Sequence, residues 1–90
     1  MPKVFFTSHL EVFFPQIKPQ FVPAKTLDEL LEKLNNIYPG LNSYLLEDNH
    51  AIRKHVNVFL DGIAIVNKDD LTVSVENINE VFIMQALSGG

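Results

Sequence analysis

Residues 26–40, TLDELLEKLNNIYPG, carry the clearest structural signal in this 90-residue sequence. Thr26 and Glu29 have the spacing of a helix-capping box, in which the threonine hydroxyl accepts from the Glu29 amide and the Glu29 carboxylate reaches back. Pro39-Gly40 ends the helix. The apolar residues recur at helical period and predict one core-facing stripe, formed by Leu27, Leu30, Leu31, Leu34, Ile37 and Tyr38. The stretch therefore predicts a helix that packs against the rest of the chain.

The residues before this helix predict an N-terminal β-hairpin. Residues 3–7 are β-prone and indicate the first strand. A second apolar run, residues 10–14, stops at Pro15, and residues 17–23 alternate apolar and polar side chains but contain two prolines. Because proline cannot donate to a sheet ladder, we expect residues 17–23 to form an edge strand or an irregular arm.

The residues after the helix predict one further helical turn and three strands. Leu41, Tyr44, Leu45 and Leu46 have the spacing of a turn that closes the core, and residues 47–50 indicate a loop. Residues 55–60 and 63–66 are strand segments joined by Asp61-Gly62, a signal for a type I′ hairpin. Residues 71–75 form a short apolar alternation. Residues 81–84 are apolar throughout, which favours a central strand covered on both faces.

The predicted order is thus β-β-α-β-β-β, an α+β domain with one main helix packed across a mixed sheet of four to five strands. A strand that follows the crossover helix can lie parallel to the first strand. Since one helix covers one face of a sheet, the other face meets solvent or a partner. Alternation places Phe59, Phe82 and Met84 on that open face, as a partner-docking surface. The alternative is scattered surface hydrophobes, which are common.

Composition limits the classes of function. Ninety residues, 47% of them hydrophobic, form one globular domain. The net charge of −4 without a basic patch argues against nucleic-acid binding, and no apolar run approaches the length of a membrane span. The N-terminus indicates a strand rather than a signal peptide, and the lack of cysteine suits a cytoplasmic protein.

The interior of the sequence offers little chemistry of its own. Its histidines, His9, His50 and His55, lack the spacing and the cysteine neighbours of a metal site. Asp69-Asp70 is most simply a solvated turn, and the sequence contains no glycine-rich phosphate loop. We therefore expect no catalytic side chains, no metal and no cofactor bound by this chain.

The sequence ends with residues 84–90, MQALSGG, of which the last two are glycines. Glycine lacks a Cβ, so a Gly89-Gly90 terminus can thread a narrow channel and adopt backbone angles closed to other residues. The α-carboxylate of Gly90 is then an unhindered group that another enzyme can activate. The alternative is a frayed end without a function.

Residues 55–62, HVNVFLDG, together with residues 80–83, EVFI, and residues 86–90, ALSGG, resemble the ThiS/MoaD sulfur-carrier family of ubiquitin-like β-grasp proteins. The resemblance follows the element order of the whole chain and divides it into a β-grasp domain, residues 1–86, and a tail, residues 87–90. The segment between the helix and His55 is most similar to the cysteine-synthesis branch. Two features depart from the family: Asn77-Ile78-Asn79-Glu80 stands where a Gly-Asp turn is common, and Met84-Gln85 stands where proline often precedes the tail.

The resemblance implies a carrier rather than an enzyme. An E1-like adenylating enzyme, using ATP and Mg²⁺, would adenylate the Gly90 carboxylate, and sulfur transfer would yield a thiocarboxylate. A sulfur-accepting synthase would then use the sulfur to make molybdopterin, the thiamin thiazole or cysteine. Gly90 would bear the sulfur, Gly89 would allow threading, and Ala86, Leu87 and Ser88 would complete the tail in the channel. Two alternatives stay open: a ubiquitin-like modifier that forms isopeptides through the same terminus, and a plain β-grasp interaction domain.

Overall fold

The main helix forms where its sequence predicts it. In a computed structural model, which describes residues 1–85, helix α1 spans Leu27–Ile37. Thr26 Oγ1 accepts from the Glu29 N–H at 3.2 Å, as predicted, but the Glu29 carboxylate accepts from the Lys25 N–H at 2.7 Å. The carboxylate thus reaches one residue beyond the amide that a standard capping box would use.

The apolar stripe of α1 faces the core, with one exception at its end. The four leucines of the stripe and Tyr38 are buried, whereas Ile37 is 50% exposed. At 3.6 residues per turn, Ile37 lies roughly 70° from the centre of the stripe, so its side chain sits at the edge of the buried face.

The loop formed by residues 65–79 caps the start of α1. The first helical amides of Leu27 and Asp28 have no acceptor within the helix, and they donate to the carbonyls of Val73 at 3.0 Å and Leu71 at 2.9 Å. Leu71 and Val75 are buried, so the apolar alternation of residues 71–75 places its first and last side chains in the core. Ser74 makes an isolated bridge to Thr26, so this segment follows the helix without forming a strand of the sheet.

A second, short helix follows α1, as the sequence predicts. Gly40, at φ 93°, turns the chain into helix α2, Leu41–Leu45, and both terminal leucines of α2 are buried. Leu46 then bridges to Ile52 across the predicted loop, and Arg53 pairs with Glu47 at 2.8 Å.

Residues 1–85 contain a five-stranded sheet with the order β2-β1-β5-β3-β4. The strands are β1 Lys3–Phe6, β2 Gln20–Phe21, β3 Val56–Leu60, β4 Ile63–Ala64 and β5 Glu80–Gln85. β5 runs parallel to β1 and antiparallel to β3, while β2 and β4 pair antiparallel with their neighbours at the edges. The predicted central position of the last strand and the predicted edge position of residues 17–23 are both confirmed, but within residues 1–85 the last strand is covered by a helix on one face only.

Three predicted strand segments differ from the structure. The apolar run of residues 10–14 contributes to a 3-10 helix, Ser8–Val12, where the Leu10 and Phe13 N–H groups donate to the carbonyls three residues earlier instead of to a neighbouring strand. β2 is only two residues long and lies between Pro19 and Pro23, which cannot donate to a ladder. β4 ends at Ala64, and Val66 is 96% exposed.

The faces of the sheet follow the predicted alternation. The side chains that face α1 are fully or almost fully buried: Val4, Val56, Val58, Val81 and Ile83. Asp61 at φ 50° and Gly62 at φ 86° form the predicted type I′ turn between β3 and β4. This arrangement leaves the opposite face of β1, β5 and β3 without a covering helix among residues 1–85.

Candidate functional site

A row of aromatic side chains crosses the uncovered face of the sheet. The register pairs Phe5 of β1 with Phe82 of β5, and Phe82 with Phe59 of β3. Paired residues project from the same side of a sheet, so the three rings lie side by side across its three inner strands. All three are half-buried, in contrast to the fully buried residues that alternate with them.

These rings line a shallow groove of about 270 Å³. Met84 and Gly62 continue its lining, and the Glu80 carboxylate adds a charge. At Gly62 a Cβ would meet no atom within 4 Å, so the turn leaves that side of the groove open. We call this surface, formed by Phe5, Phe59, Gly62, Glu80, Phe82 and Met84, the open-face groove.

The uncovered face continues past the open-face groove to the edge strand β2. Lys3 pairs with Glu80 on one side and with Phe21 on the other. The Lys3 ammonium lies 5.4 Å from the centre of the Phe5 ring and 5.6 Å from that of Phe21, distances at which a cation is attracted to the aromatic face. Phe21 is 60% exposed. The result is a surface of aromatic rings with one cation and one carboxylate beside it.

The predicted docking residues Phe59, Phe82 and Met84 therefore lie together on one face, while their role in docking stays a prediction. Sequence reasoning missed Phe5, Lys3 and Phe21. The signal for Phe5 was available, because an inward Val4 in an alternating strand places Phe5 outward. The place of Phe21 on this face follows from its pairing with Lys3. The short β2 sequence does not specify that long-range register.

The predicted tail residues Ala86, Leu87, Ser88, Gly89 and Gly90 lie outside the described residues. The structure describes the residue that precedes them. β5 is described as far as Gln85, which pairs with Val56, the first residue of β3. Because Met84 belongs to the open-face groove, the groove reaches to within two residues of Ala86.

The titratable side chains that the sequence singles out are exposed or make local contacts. His9 packs edge-on against Phe13, with ring centres 5.6 Å apart, while His50 and His55 are exposed. Asp70 accepts hydrogen bonds from the Thr72 hydroxyl and N–H, and these bonds hold the pKa of its carboxyl below the ordinary value. That geometry is the one predicted for a turn. Within residues 1–85, no group of three or more His, Asp or Glu side chains is placed to hold a metal ion.

The fold itself identifies the structural class: one main helix across a mixed sheet whose central strand is the last one is a ubiquitin-like β-grasp. Solved structures of this kind superpose over almost the whole chain. A chain from the crystal structure of the BexX/CysO complex of Amycolatopsis orientalis matches with a TM-score of 0.83 and 17% identity, covering 100% of both chains. SAMP1 from Haloferax volcanii matches with a TM-score of 0.73 and 21% identity, covering 98% of this chain and 97% of that one.

At these identities the similarity establishes the fold, and the β-grasp architecture predicted from the sequence is confirmed. Comparison with protein-family models and with curated protein sequences finds no match. In the part of the chain that the structure describes, no helix has the length and apolar character needed to cross a membrane.

Proposed function

We propose that this protein is a sulfur carrier of the ThiS/MoaD type, with Gly90 as its C-terminal residue. The observation that carries the proposal is the position of β5. This central strand contributes Phe82 and Met84 to the open-face groove, and in the sequence it is followed by the five residues that end in Gly89-Gly90. One strand thus contributes to an apolar docking surface and precedes in sequence the group that would react.

The proposed chemistry takes place in the active sites of partner enzymes. A carboxylate oxygen of Gly90 attacks the α-phosphorus of ATP, and pyrophosphate leaves, so that an acyl-adenylate forms. A hydrosulfide equivalent then attacks the acyl carbon, AMP leaves, and the product is a thiocarboxylate. The carrier contributes a docking face and a slender terminus to this sequence, whereas ATP, Mg²⁺ and the catalytic side chains belong to the E1-like adenylating enzyme.

The open-face groove is proposed as the surface that meets this enzyme. Half-buried aromatic rings are typical anchors of protein interfaces, because they bury a large apolar area at a small cost in conformational entropy. The Glu80 carboxylate and the Lys3 ammonium beside the rings would orient the partner. A sulfur-accepting synthase is the second proposed partner, and the similar Amycolatopsis structure, a complex of CysO with BexX, supports a function that involves a partner protein. The proposed place of action is the cytoplasm, and the acceptor class closest to the resemblance is that of cysteine synthesis.

Intact mass spectrometry of the protein purified from its own cells tests the proposal. We expect a fraction with a mass gain equal to one oxygen replaced by sulfur at the C-terminus. Deletion of Gly90 should abolish that fraction, because it alters the terminus to which the activating enzyme is fitted, while leaving the circular dichroism spectrum unchanged.

Two other results would have different meanings. Isopeptide conjugates to lysines of other proteins, without a thiocarboxylate, would favour the ubiquitin-like modifier. A free carboxylate in every preparation, even after incubation with ATP, Mg²⁺, a sulfide donor and an E1-like enzyme of the same organism, would overturn the proposal and favour a plain interaction domain.

A further inference from the structure

Thr7 is the residue at which the chain passes from β1 to the 3-10 helix. It follows β1 directly and precedes the 3-10 helix Ser8–Val12, with an extended backbone at φ −65° and ψ 146°. Threonine at such a position commonly caps the following helix with its hydroxyl. Within residues 1–85 the Thr7 hydroxyl makes no such cap. Its hydrogen bonds go instead to β5, which is more than 70 residues away in sequence.

The hydroxyl replaces a missing backbone acceptor. In a continuing parallel ladder, the Thr7 carbonyl would accept from the Gln85 N–H. That carbonyl has turned away and accepts from the Leu10 N–H at 3.1 Å, because the chain enters the 3-10 helix. Thr7 Oγ1 accepts from the Gln85 N–H at 3.0 Å in its place, and the hydroxyl lies 3.4 Å from the Ile83 carbonyl, to which it donates. The side chain thereby extends the β1–β5 ladder by one residue beyond the end of β1.

Gln85 is the last residue before the segment that carries Gly90. The Thr7 N–H also donates to the Ile83 carbonyl at 3.1 Å, so one residue holds β5 at two successive points of its edge. Without the hydroxyl, the edge of β5 that faces β1 would be held only up to Ile83. Each residue released from a strand adds about 3.3 Å of chain. The distance between the docking surface and the start of residues 86–90 would then no longer be set by the β1–β5 ladder.

We propose that Thr7 is a positioning residue for the reaction of the C-terminus: its hydroxyl holds Gln85, the residue that precedes the C-terminal segment, in line with β1. The five residues from Ala86 to Gly90 can span at most about 18 Å. A tether this short delivers its end to an active site only if its origin is fixed relative to the docked face. The inference rests on the proposed function, but the hydrogen bond itself can be tested without it.

Amide hydrogen exchange measured by NMR on the free protein tests the hydrogen bond. Thr7→Val keeps the shape of the side chain and removes the hydroxyl, so exchange of the Gln85 amide should accelerate by about tenfold, as expected for the loss of one hydrogen bond. Thr7→Ser restores the hydroxyl and should restore protection. Thr72→Val, which removes a hydroxyl that bonds Asp70 in a surface loop, is the matched control and should leave Gln85 unchanged. An unchanged Gln85 amide in Thr7→Val would overturn the inference.

The kinetics of adenylation test the positioning role. The assay measures ATP–pyrophosphate exchange by an E1-like adenylating enzyme of the same organism, at varied concentrations of carrier. For Thr7→Val we expect kcat to fall by about tenfold, because misplacement of a reacting group lowers the rate of the chemical step. KM should stay within about twofold, since the open-face groove is untouched. Thr7→Ser should recover kcat. A variant that is only less stable would raise the apparent KM without lowering kcat, because less of it is folded.

The outcomes separate the two proposals. If wild-type carrier supports exchange and Thr7→Val matches it in kcat, the positioning role is wrong and the proposed carrier function stands. If wild-type carrier supports no exchange, the carrier function fails and the positioning role fails with it, while the NMR result still decides whether the Thr7–Gln85 bond exists.

Discussion

Asp61 shows how one side chain joins two separate parts of the sheet. It sits in the β3–β4 turn at φ 50°, a left-handed conformation that aspartate and asparagine tolerate better than most residues. Its Oδ1 accepts from the Asn79 N–H at 3.0 Å and from the Glu80 N–H at 2.8 Å. These are the residues that lead into β5 and that replace the Gly-Asp turn common in the resembling family. The carboxylate therefore organises a turn whose own sequence lacks the usual signal.

We expect Asp61→Ala to lower the free energy of unfolding by about 2–3 kcal/mol, because two amides lose a charged acceptor and alanine is strained at positive φ. Asp61→Asn retains an acceptor oxygen and tolerates the same backbone angle, so it should cost about 1 kcal/mol or less. Urea denaturation measures both values. Equal losses for the two variants would show that the hydrogen bonds to Asn79 and Glu80 do not stabilise the turn.

At the scale of the element, a carboxylate at the start of helix α1 makes the stability of the fold depend on pH. The pKa of the Glu29 carboxyl is lowered from its ordinary value of 4.5, chiefly because the carboxylate accepts from the Lys25 N–H. The Lys33 ammonium, 3.6 Å away, lowers it further. A carboxyl whose pKa is lower in the folded state stabilises the fold above its unfolded-state pKa, and this contribution disappears as the pH falls through the folded-state value.

Glu29→Gln should therefore reduce the stability of the protein at neutral pH and have a progressively smaller effect below about pH 4.5. Chemical denaturation at a series of pH values measures the difference in unfolding free energy between the two proteins. Glu32→Gln, on the exposed side of the same helix, is the control for the loss of a charge. A difference that stays constant down to strongly acidic pH would contradict the role of the ionised carboxylate.

At the scale of the whole molecule, the two faces of β5 have different surroundings. Ile83 is fully buried against the core beneath α1, while its neighbour Phe82 is half-buried in the open-face groove. Two adjacent residues of the central strand thus have different expected roles: Ile83 is required for folding, and Phe82 is proposed for docking. The same polar substitution at both positions separates these roles within a single strand.

We expect Phe82→Asp to remain folded, with stability lowered by about 1–3 kcal/mol, and to lose binding to the activating enzyme, because the aspartate replaces a proposed anchor. Ile83→Asp should unfold the protein, since a buried unpaired carboxylate costs several kcal/mol in a domain of modest stability. Thermal denaturation and isothermal titration with the E1-like enzyme check these outcomes. Undiminished binding by a folded Phe82→Asp would exclude Phe82 from the docking surface.

Much of the fold could be predicted from local patterns. The helix from Thr26 to Pro39, the Asp61-Gly62 turn and the alternation of β3 and β5 depend on neighbours in sequence, and these predictions are confirmed. The 3-10 helix at Ser8–Val12 was missed because an apolar run of five residues does not distinguish extended from helical spacing. The shortness of β2 and β4 was missed because each pairs with only two residues of a longer neighbouring strand, and local sequence pattern does not specify how far that pairing continues.

The sequence by itself determined the β-grasp fold class, the core-facing residues of α1, β3 and β5, and the Gly-Gly segment on which the proposed function depends. The core-facing residues follow from periodicity and turn chemistry, which act over a few residues, whereas the β-grasp class and the role of the Gly-Gly segment are implied by the resemblance to the ThiS/MoaD family. Only the tertiary structure decided that Phe5 joins Phe59 and Phe82 in one groove, that Asp61 holds the start of β5, and that Thr7 holds its end. Each of these contacts joins residues far apart in the chain, and strand order and register, rather than any local propensity, bring them together.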